Sequence, residues 1–228
     1  MQHKENYREL QRSMDTNKFS TAEIAAVYKA IRERRDMRHF VSAPLEEGQL
    51  ERFVQAAHMA PSVGLMQPWR FIRITDMSLR TALQQHVEQE RIATAAALGE
   101  RSSEFMRLKV EGILTCAEVL VVGLIENREK YIFGRRTMPE MDLASASCAI
   151  QNMWLAARAE GIGLGWVSLF EPNKLRELCG MPDDSQPIAI LCLGHVEDFY
   201  PAPMLEIEEW DKRKALGDVL RENTWAAE

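Results

Sequence analysis

The sequence predicts one α+β domain, a central sheet with helices on its faces and an extended C-terminal arm. Three observations carry that prediction. Residues 119–125 (Val-Leu-Val-Val-Gly-Leu-Ile) form an unbroken apolar run of strand length, as in a strand covered on both faces. Residues 142–160 follow a helical pattern that is apolar nearly all round, with Leu143, Ala146, Ala149, Ile150, Met153, Trp154 and Leu155, so that helix belongs at the centre of a domain or of a dimer. No linker, repeat or low-complexity stretch divides the 228 residues.

The elements follow in order. Residues 1–19 are polar and read as a flexible N-terminal arm, with a single domain over 20–228. Ser20 and Glu23 match a capping box, so a helix starts there and runs through Ile24, Val27 and Ile31 to about Arg35. Pro44 opens a second helix through Leu50, Phe53 and Val54, which stops at Pro61. Residues 70–75 alternate like a half-buried strand, and 77–98 are helical. Residues 100–115 are amphipathic. The loop 127–141 is polar and basic. Asp142 is the expected cap of the central helix, and Gly161 its C′ residue. Strands are expected at about 164–169 and 187–194, with a short helix from Pro172 between them. The tail after Tyr200 reads as an arm over about 199–228 that wraps around this domain or a partner.

Composition narrows the function. The hydrophobic fraction is 46% and the charged fraction 27%, ordinary for a globular chain. A net charge of -6 argues against a protein built to coat nucleic acid or anionic membrane. Cys116, Cys148, Cys179 and Cys192 show no zinc-ligand spacing and read as reduced core thiols, consistent with the cytoplasm. His3, His39, His58, His86 and His195 make no metal pattern, so no metal is expected. The polar N-terminus has no signal-peptide core, and the apolar stretches are too short or too interrupted to span a bilayer.

Three segments could carry chemistry. Arg34-Arg35-Asp36-Met37-Arg38 gathers three guanidiniums in five residues, a concentrated anion site built from planar forks of donors. The alternative is a set of solvated charges at a helix C-terminus. Residues 60–69 place two prolines and a glycine in a rigid loop, where Ser62 and Gln67 offer hydrogen bonds to a planar heterocycle and Trp69 offers a wall or a core plug. Residues 161–168 contain Gly161, Gly163 and Gly165 before Trp166 and Ser168. A dinucleotide fingerprint follows a strand and opens a helix. Here the order is reversed, so the glycines serve a helix cap and a close backbone approach.

Together these segments resemble the nitroreductase superfamily of FMN proteins, from about residue 24 to Arg221. The superfamily's arginine opening appears as Arg34 to Arg38, and its proline-serine loop ending Gln-Pro-Trp as Pro61 to Trp69. Two departures are informative: Asp36 stands where ordinary members have serine, and Leu65 where many have asparagine. Residues 64–69, 141–143, 152–161 and 165–168 are similar to the branch of 5,6-dimethylbenzimidazole synthases.

The resemblance implies a three-layer α-β-α sandwich, an intertwined homodimer and FMN at the interface. It implies an oxidoreductase in which reduced FMN is itself the substrate, cut with O2 to 5,6-dimethylbenzimidazole, the lower ligand of cobalamin, and erythrose 4-phosphate. A separate flavin reductase would supply the reduced FMN. Arg34, Arg35, Met37 and Arg38 are the expected contacts to phosphate, ribityl and pyrimidine. Ser62 and Gln67 bond the ring or ribityl chain, and Trp166 and Ser168 lie beside the ring. Leu108 belongs to a lid over about 97–115 that shelters the reaction from water. Arg213, or Lys212 in its place, is a second phosphate ligand. Asp36 is the expected catalytic base, kept ionised by its arginines, with ordering of those arginines as the alternative. Ser168 positions oxygen or relays a proton. Two other readings are an NAD(P)H-dependent nitroreductase, which gives Asp36 and Leu65 no part, and a non-catalytic flavin-binding protein.

Overall fold

A computed structural model describes residues 17–225. The chain divides into two compact units, one up to Arg34 and one from Arg35 onward. The first holds α1 (Thr21–Glu33). Its start is the expected capping box: the Glu23 N–H donates to Ser20 Oγ at 3.3 Å, and the Ser20 N–H donates to Glu23 Oε2 at 2.8 Å. Arg34 is its C-cap, with extended backbone. Phe19, Val27, Tyr28 and Ile31 are exposed.

The second unit holds the sheet. In chain order its elements are α2 (Gln49–His58), β1 (Trp69–Arg73), α3 (Met77–Ala97), α4 (Ser102–Arg107), β2 (Glu118–Leu124), α5 (Met141–Ala159), β3 (Gly163–Val167), α6 (Pro172–Leu178), β4 (Gln186–Gly194), α7 (Met204–Ile207) and α8 (Leu216–Val219). The strands are ordered β1-β2-β4-β3, and every neighbouring pair is antiparallel. Val121 faces Ile190 at the middle of the central pair.

Because side chains alternate along a strand, β2 and β4 feed two cores. Leu120, Val122, Leu191 and Leu193 pack with Phe53 and Ala57 of α2 and with Ile150 and Met153 of α5. Val119, Val121, Ile190 and Cys192 pack on the other face with Leu83 and Val87 of α3 and Leu175 of α6. The result is a three-layer α-β-α arrangement. Trp69 is buried in the first core, so it is a core plug and not a wall.

Several local readings are corrected. The second helix begins at Gln49, because Gly48 adopts φ 73° and the Glu46 N–H donates to the buried Gln49 side chain, closing a turn ahead of the helix. Asp142 lies inside the first turn of α5, whose N-cap is Glu140. Its buried carboxylate instead accepts from Arg128 Nε at 2.9 Å and Arg135 Nε at 3.2 Å, tying the basic loop to the helix. Gly161 does close α5, with φ 76° and the paired Gly161→Arg158 and Ile162→Ala157 backbone bonds of a Schellman motif. α5 is buried along one stripe only; Leu143 and Cys148 are exposed on its other face. Cys116 and Cys192 are core thiols. A hydrogen bond with Cys192, then burial, pushes the Cys116 thiol up, and burial pushes Cys179 up to about 11.

One further backbone pairing positions the site. The strip Arg35–His39 lies along β3: Asp36 bridges Leu164 in parallel fashion, and the Met37 N–H donates to Leu164 O at 3.0 Å. A Cβ at Gly165 would come within 2.2 Å of Met37 O and 2.6 Å of Arg38 Nη1, so glycine permits this approach.

Two outcomes are expected. Asp142→Asn leaves the nearly buried Arg128 without its anion and Arg135 with only the exposed Glu129 at 3.6 Å, and costs about 3 kcal/mol, read as a lower urea midpoint; a loss under about 1 kcal/mol would remove Asp142 as a structural hub. Gly165→Ala pushes the Arg35–His39 strip off β3 and lowers stability by about 2 kcal/mol. Unchanged amide exchange at Met37 in that variant would contradict the packing argument.

Candidate active site

An extended strip alternates its side chains, and this sorts the arginine motif. Met37 points into the core, fully buried, against Gly163. Asp36 and Arg38 point the other way, into a cleft of about 290 Å3. Asp36 Oδ1 accepts the Trp166 backbone N–H at 2.9 Å, and Oδ2 accepts Arg38 Nη2 at 2.7 Å. Arg38 Nη2 also donates to Trp166 O at 2.8 Å. The Arg38 side chain is only 10% exposed, whereas that of Asp36 is 43% exposed, so the cation is buried behind a carboxylate that reaches the cleft. Arg35 points away: its Nε donates to Tyr200 O at 3.0 Å and its Nη2 to Pro201 O at 3.1 Å, while its own carbonyl accepts from Trp154 Nε1.

The end of β3 supplies one wall. Trp166, Val167, Ser168 and Leu169 line the cleft, with Ser168 exposed. Trp154 lies 6.5 Å from Trp166, ring centre to ring centre. A second wall comes from Phe105 of α4, which follows a 3₁₀ turn at Gly99–Arg101, and from Leu108, Lys109 and Val110 just after α4. Met204, Leu205 and Trp210 complete it from the C-terminal segment. The cleft thus combines three aromatic side chains (Phe105, Trp166 and Trp210), aliphatic side chains, two cations and one carboxylate. That inventory suits a flat, largely apolar ring with polar edges.

Five residues singled out from the sequence meet here: Asp36, Arg38, Leu108, Trp166 and Ser168. Others lie elsewhere. Arg34 ends α1 in the preceding unit. Ser62 and Gln67 are bound to each other, the Gln67 N–H donating to Ser62 Oγ at 3.0 Å. Their loop is held in shape by positive φ at Gly64, Leu65 and Gln67, and by the Val63 N–H on Ser145 Oγ at 3.0 Å. Arg213 is exposed, with its backbone N–H on Glu206 Oε1, and Lys212 is exposed beside it. Sequence reasoning missed Lys109 and Trp210. Lys109 is an ordinary lysine in the sequence. Trp210 had a signal, a tryptophan set within Glu208-Glu209-Trp210-Asp211-Lys212. His195 is structural, its Nε2 3.1 Å from Pro44 O.

Among the described residues no cluster of three or more His, Cys, Asp or Glu side chains could hold a metal. No described helix is long and apolar enough to cross a membrane.

Comparison with known proteins places this geometry in a family. The nitroreductase family model matches residues 31–195. The 5,6-dimethylbenzimidazole synthase of Rhodospirillum rubrum is 37% identical over 190 residues, 82% of this chain and 90% of that one. A Rhodobacter capsulatus protein of the same name is 35% identical over 82% of this chain and 91% of its own length. Among solved structures, iodotyrosine deiodinase bound to FMN and 3-iodo-L-tyrosine aligns with TM-score 0.68 at 19% identity, over 87% of this chain and 100% of that one. The NADPH:FMN oxidoreductase of Vibrio harveyi complexed with NAD+ aligns with TM-score 0.66 at 20% identity, over 89% and 79%. These two likenesses concern the fold. With the family model spanning most of the chain and two such relatives covering four-fifths of it, the chain belongs to the nitroreductase family.

Proposed function

We propose that this protein fragments reduced FMN with O2 to give 5,6-dimethylbenzimidazole and erythrose 4-phosphate. The observation that carries this reading is the Asp36 carboxylate, anchored between the Trp166 N–H and Arg38 and still open to the cleft. The relatives named as 5,6-dimethylbenzimidazole synthases support the same reading.

The residues fit the flavin. Trp166, steadied by Trp154, offers a flat face, and Leu108, Leu169 and Met204 offer apolar cover. Lys109 lines the same cleft, and Arg38 places a second positive charge behind the Asp36 carboxylate. Reduced FMN supplies the electrons and the carbon skeleton that is cut. Asp36 accepts the proton released from the ribityl chain or a ring nitrogen as bonds break. The Trp166 N–H and Arg38 hold the two oxygens in a fixed orientation toward the cleft. Arg38 steadies the carboxylate and is itself fixed by Trp166 O, so the pair needs no rearrangement during reaction. Ser168 positions oxygen or relays a proton toward Asp36 across the shared cleft. The lid over about 97–115 shelters the reaction from water, a reading supported by Phe105, Leu108, Lys109 and Val110 lining the cleft.

Arg34, Arg35 and Arg213 serve the flavin phosphate, with Lys212 as the alternative to Arg213. Met37 sets the strip's seat beneath the ring, and Ser62 and Gln67 bond the ring or ribityl chain. The working unit is a homodimer, a reading supported by exposed apolar side chains on α1 (Val27, Tyr28 and Ile31) and on the C-terminal segment (Leu216, Leu220 and Trp225). A separate flavin reductase delivers the substrate. Light scattering is expected to give twice the 26.1 kDa chain mass; a monomer with full activity would contradict the dimer.

The deciding experiment mixes the protein anaerobically with chemically reduced FMN, admits air, and separates the products by mass. The expected result is 5,6-dimethylbenzimidazole with matching loss of FMN. Recovery of oxidised FMN and peroxide alone overturns the reading and favours an NAD(P)H nitroreductase or a flavin-binding protein. In the same assay Asp36→Asn lowers product by about 100-fold or more, with FMN affinity within about tenfold of wild type. Full product yield with normal binding would leave Asp36 only the ordering of its arginines. Ser168→Ala lowers product about tenfold, and equal activity would make it a spectator.

A further inference from the structure

The cleft's outer wall is held by one side chain from the C-terminal segment. Trp210 lies against Phe105 of α4, ring centres 6.0 Å apart. The Arg101 guanidinium sits 3.6 Å above the Trp210 ring centre, and its Nη2 donates to Trp210 O at 3.0 Å. Arg101 is oriented in turn by a two-pronged pair with Glu104, both contacts at 3.0 Å. From the other side, Arg91 of α3 donates to the Met106 carbonyl. The segment that carries Phe105, Leu108 and Lys109 into the cleft is therefore fastened at both ends of α4.

The backbone beneath Trp210 is arranged for this contact. α7 ends in a Schellman motif: the Glu209 N–H donates to Glu206 O at 3.2 Å, and the Trp210 N–H to Leu205 O at 2.9 Å. The left-handed position that motif requires is filled by Glu209, at φ 57°, where glycine would be unstrained. A side-chain-bearing residue in that conformation is kept only where its surroundings hold it. Here they include the stack that Trp210 makes with Arg101 and Phe105.

We propose that Trp210 is the latch of the roof over the cleft and thereby sets how reduced FMN is spent, a proposal that rests on the fragmentation reading above. With the roof shut, the reaction runs to 5,6-dimethylbenzimidazole. With the roof loose and water admitted, two electrons and two protons pass from reduced FMN to O2, giving oxidised FMN and hydrogen peroxide. Trp210 is a positioning residue: it acts through Arg101 and Phe105, and its loss changes the partition between two outcomes while the anchors of Asp36 stay in place.

The test uses the full-length protein, with reduced FMN and air as the probe, and measures 5,6-dimethylbenzimidazole and peroxide together. Trp210→Ala lowers the product-to-peroxide ratio by about tenfold, the scale of a lost cation–π and stacking contact. Trp210→Phe, which keeps a π face, restores the ratio to within about threefold of wild type. Hydrogen exchange of residues 99–110 in the flavin-free protein rises about tenfold in Trp210→Ala. Arg101→Gln, a surface change, shifts both readouts the same way and keeps the test open if Trp210→Ala does not fold. An unchanged ratio, or unchanged exchange at 99–110, overturns the proposal. A wild-type control that makes no 5,6-dimethylbenzimidazole overturns the fragmentation reading and the partition with it. The exchange measurement then decides the latch by itself.

Discussion

The structure around the site depends on one backbone contact, the seating of Arg35–His39 along β3. The Met37 N–H on Leu164 O fixes the register. Register then fixes everything else, because a one-residue slip in an extended strip reverses every side chain. In the observed register Met37 fills the core, while Asp36 and Arg38 share the opposite face and meet the Trp166 backbone. Gly165 permits the approach that a methyl group would block. Core packing and charge placement are thus set by the same contact.

Electrostatics separates this site from the structural ion pairs. Asp142 is buried and faces two guanidiniums that are themselves nearly buried. Such a hub is costly to break and has little access to anything that could exchange a proton. Asp36 makes a pair of similar length, yet its side chain stays 43% exposed. Its guanidinium is the buried partner and is satisfied by the Trp166 carbonyl as well. The charge that remains accessible is therefore the carboxylate, held by two donors in one orientation. Arg80 shows a third use of the same chemistry: buried on α3, it donates to Ile74 O, Cys116 O and Ala117 O and closes the turn leading into β2.

The layers were legible wherever a periodic signal was long. β2 and α3 read directly from their apolar patterns, and the glycine at 161 marked the end of α5. The errors came where a local signal had two meanings. Pro44 suggests a helix start, but Gly48 and the Gln49 side chain build a turn first. An acidic residue at a helix start suggests a cap, yet Asp142 is drawn inward by arginines at 128 and 135. Within the site, Asp36 and Arg38 could be named from a five-residue motif. Their geometry could not, because it depends on a strip pairing with a strand 128 residues away. The contact that Trp210 makes was hidden for the same reason: the charged run around it is visible, but its partner Arg101 is 109 residues distant.

Backbone strain gives an independent view of which loops are shaped by their surroundings. Positive φ at asparagine is inexpensive, and Asn127 and Asn223 adopt it. Leu65, Gln67 and Glu209 have no such excuse. Two of these lie in the Pro61–Trp69 loop, where Ser62 and Ser145 hydroxyls hold backbone N–H groups in place. The third lies directly before Trp210. A chain under selection for stability alone gains by placing glycine at such positions. Retaining longer side chains there means that tertiary contacts fix the conformation, and a fixed conformation is what a site needs if its donors are to be in position before substrate arrives. The strained residues thus mark two loops whose shape is set by tertiary contacts: one closed by the Ser62 and Ser145 hydroxyls, the other leading into Trp210 on the cleft wall.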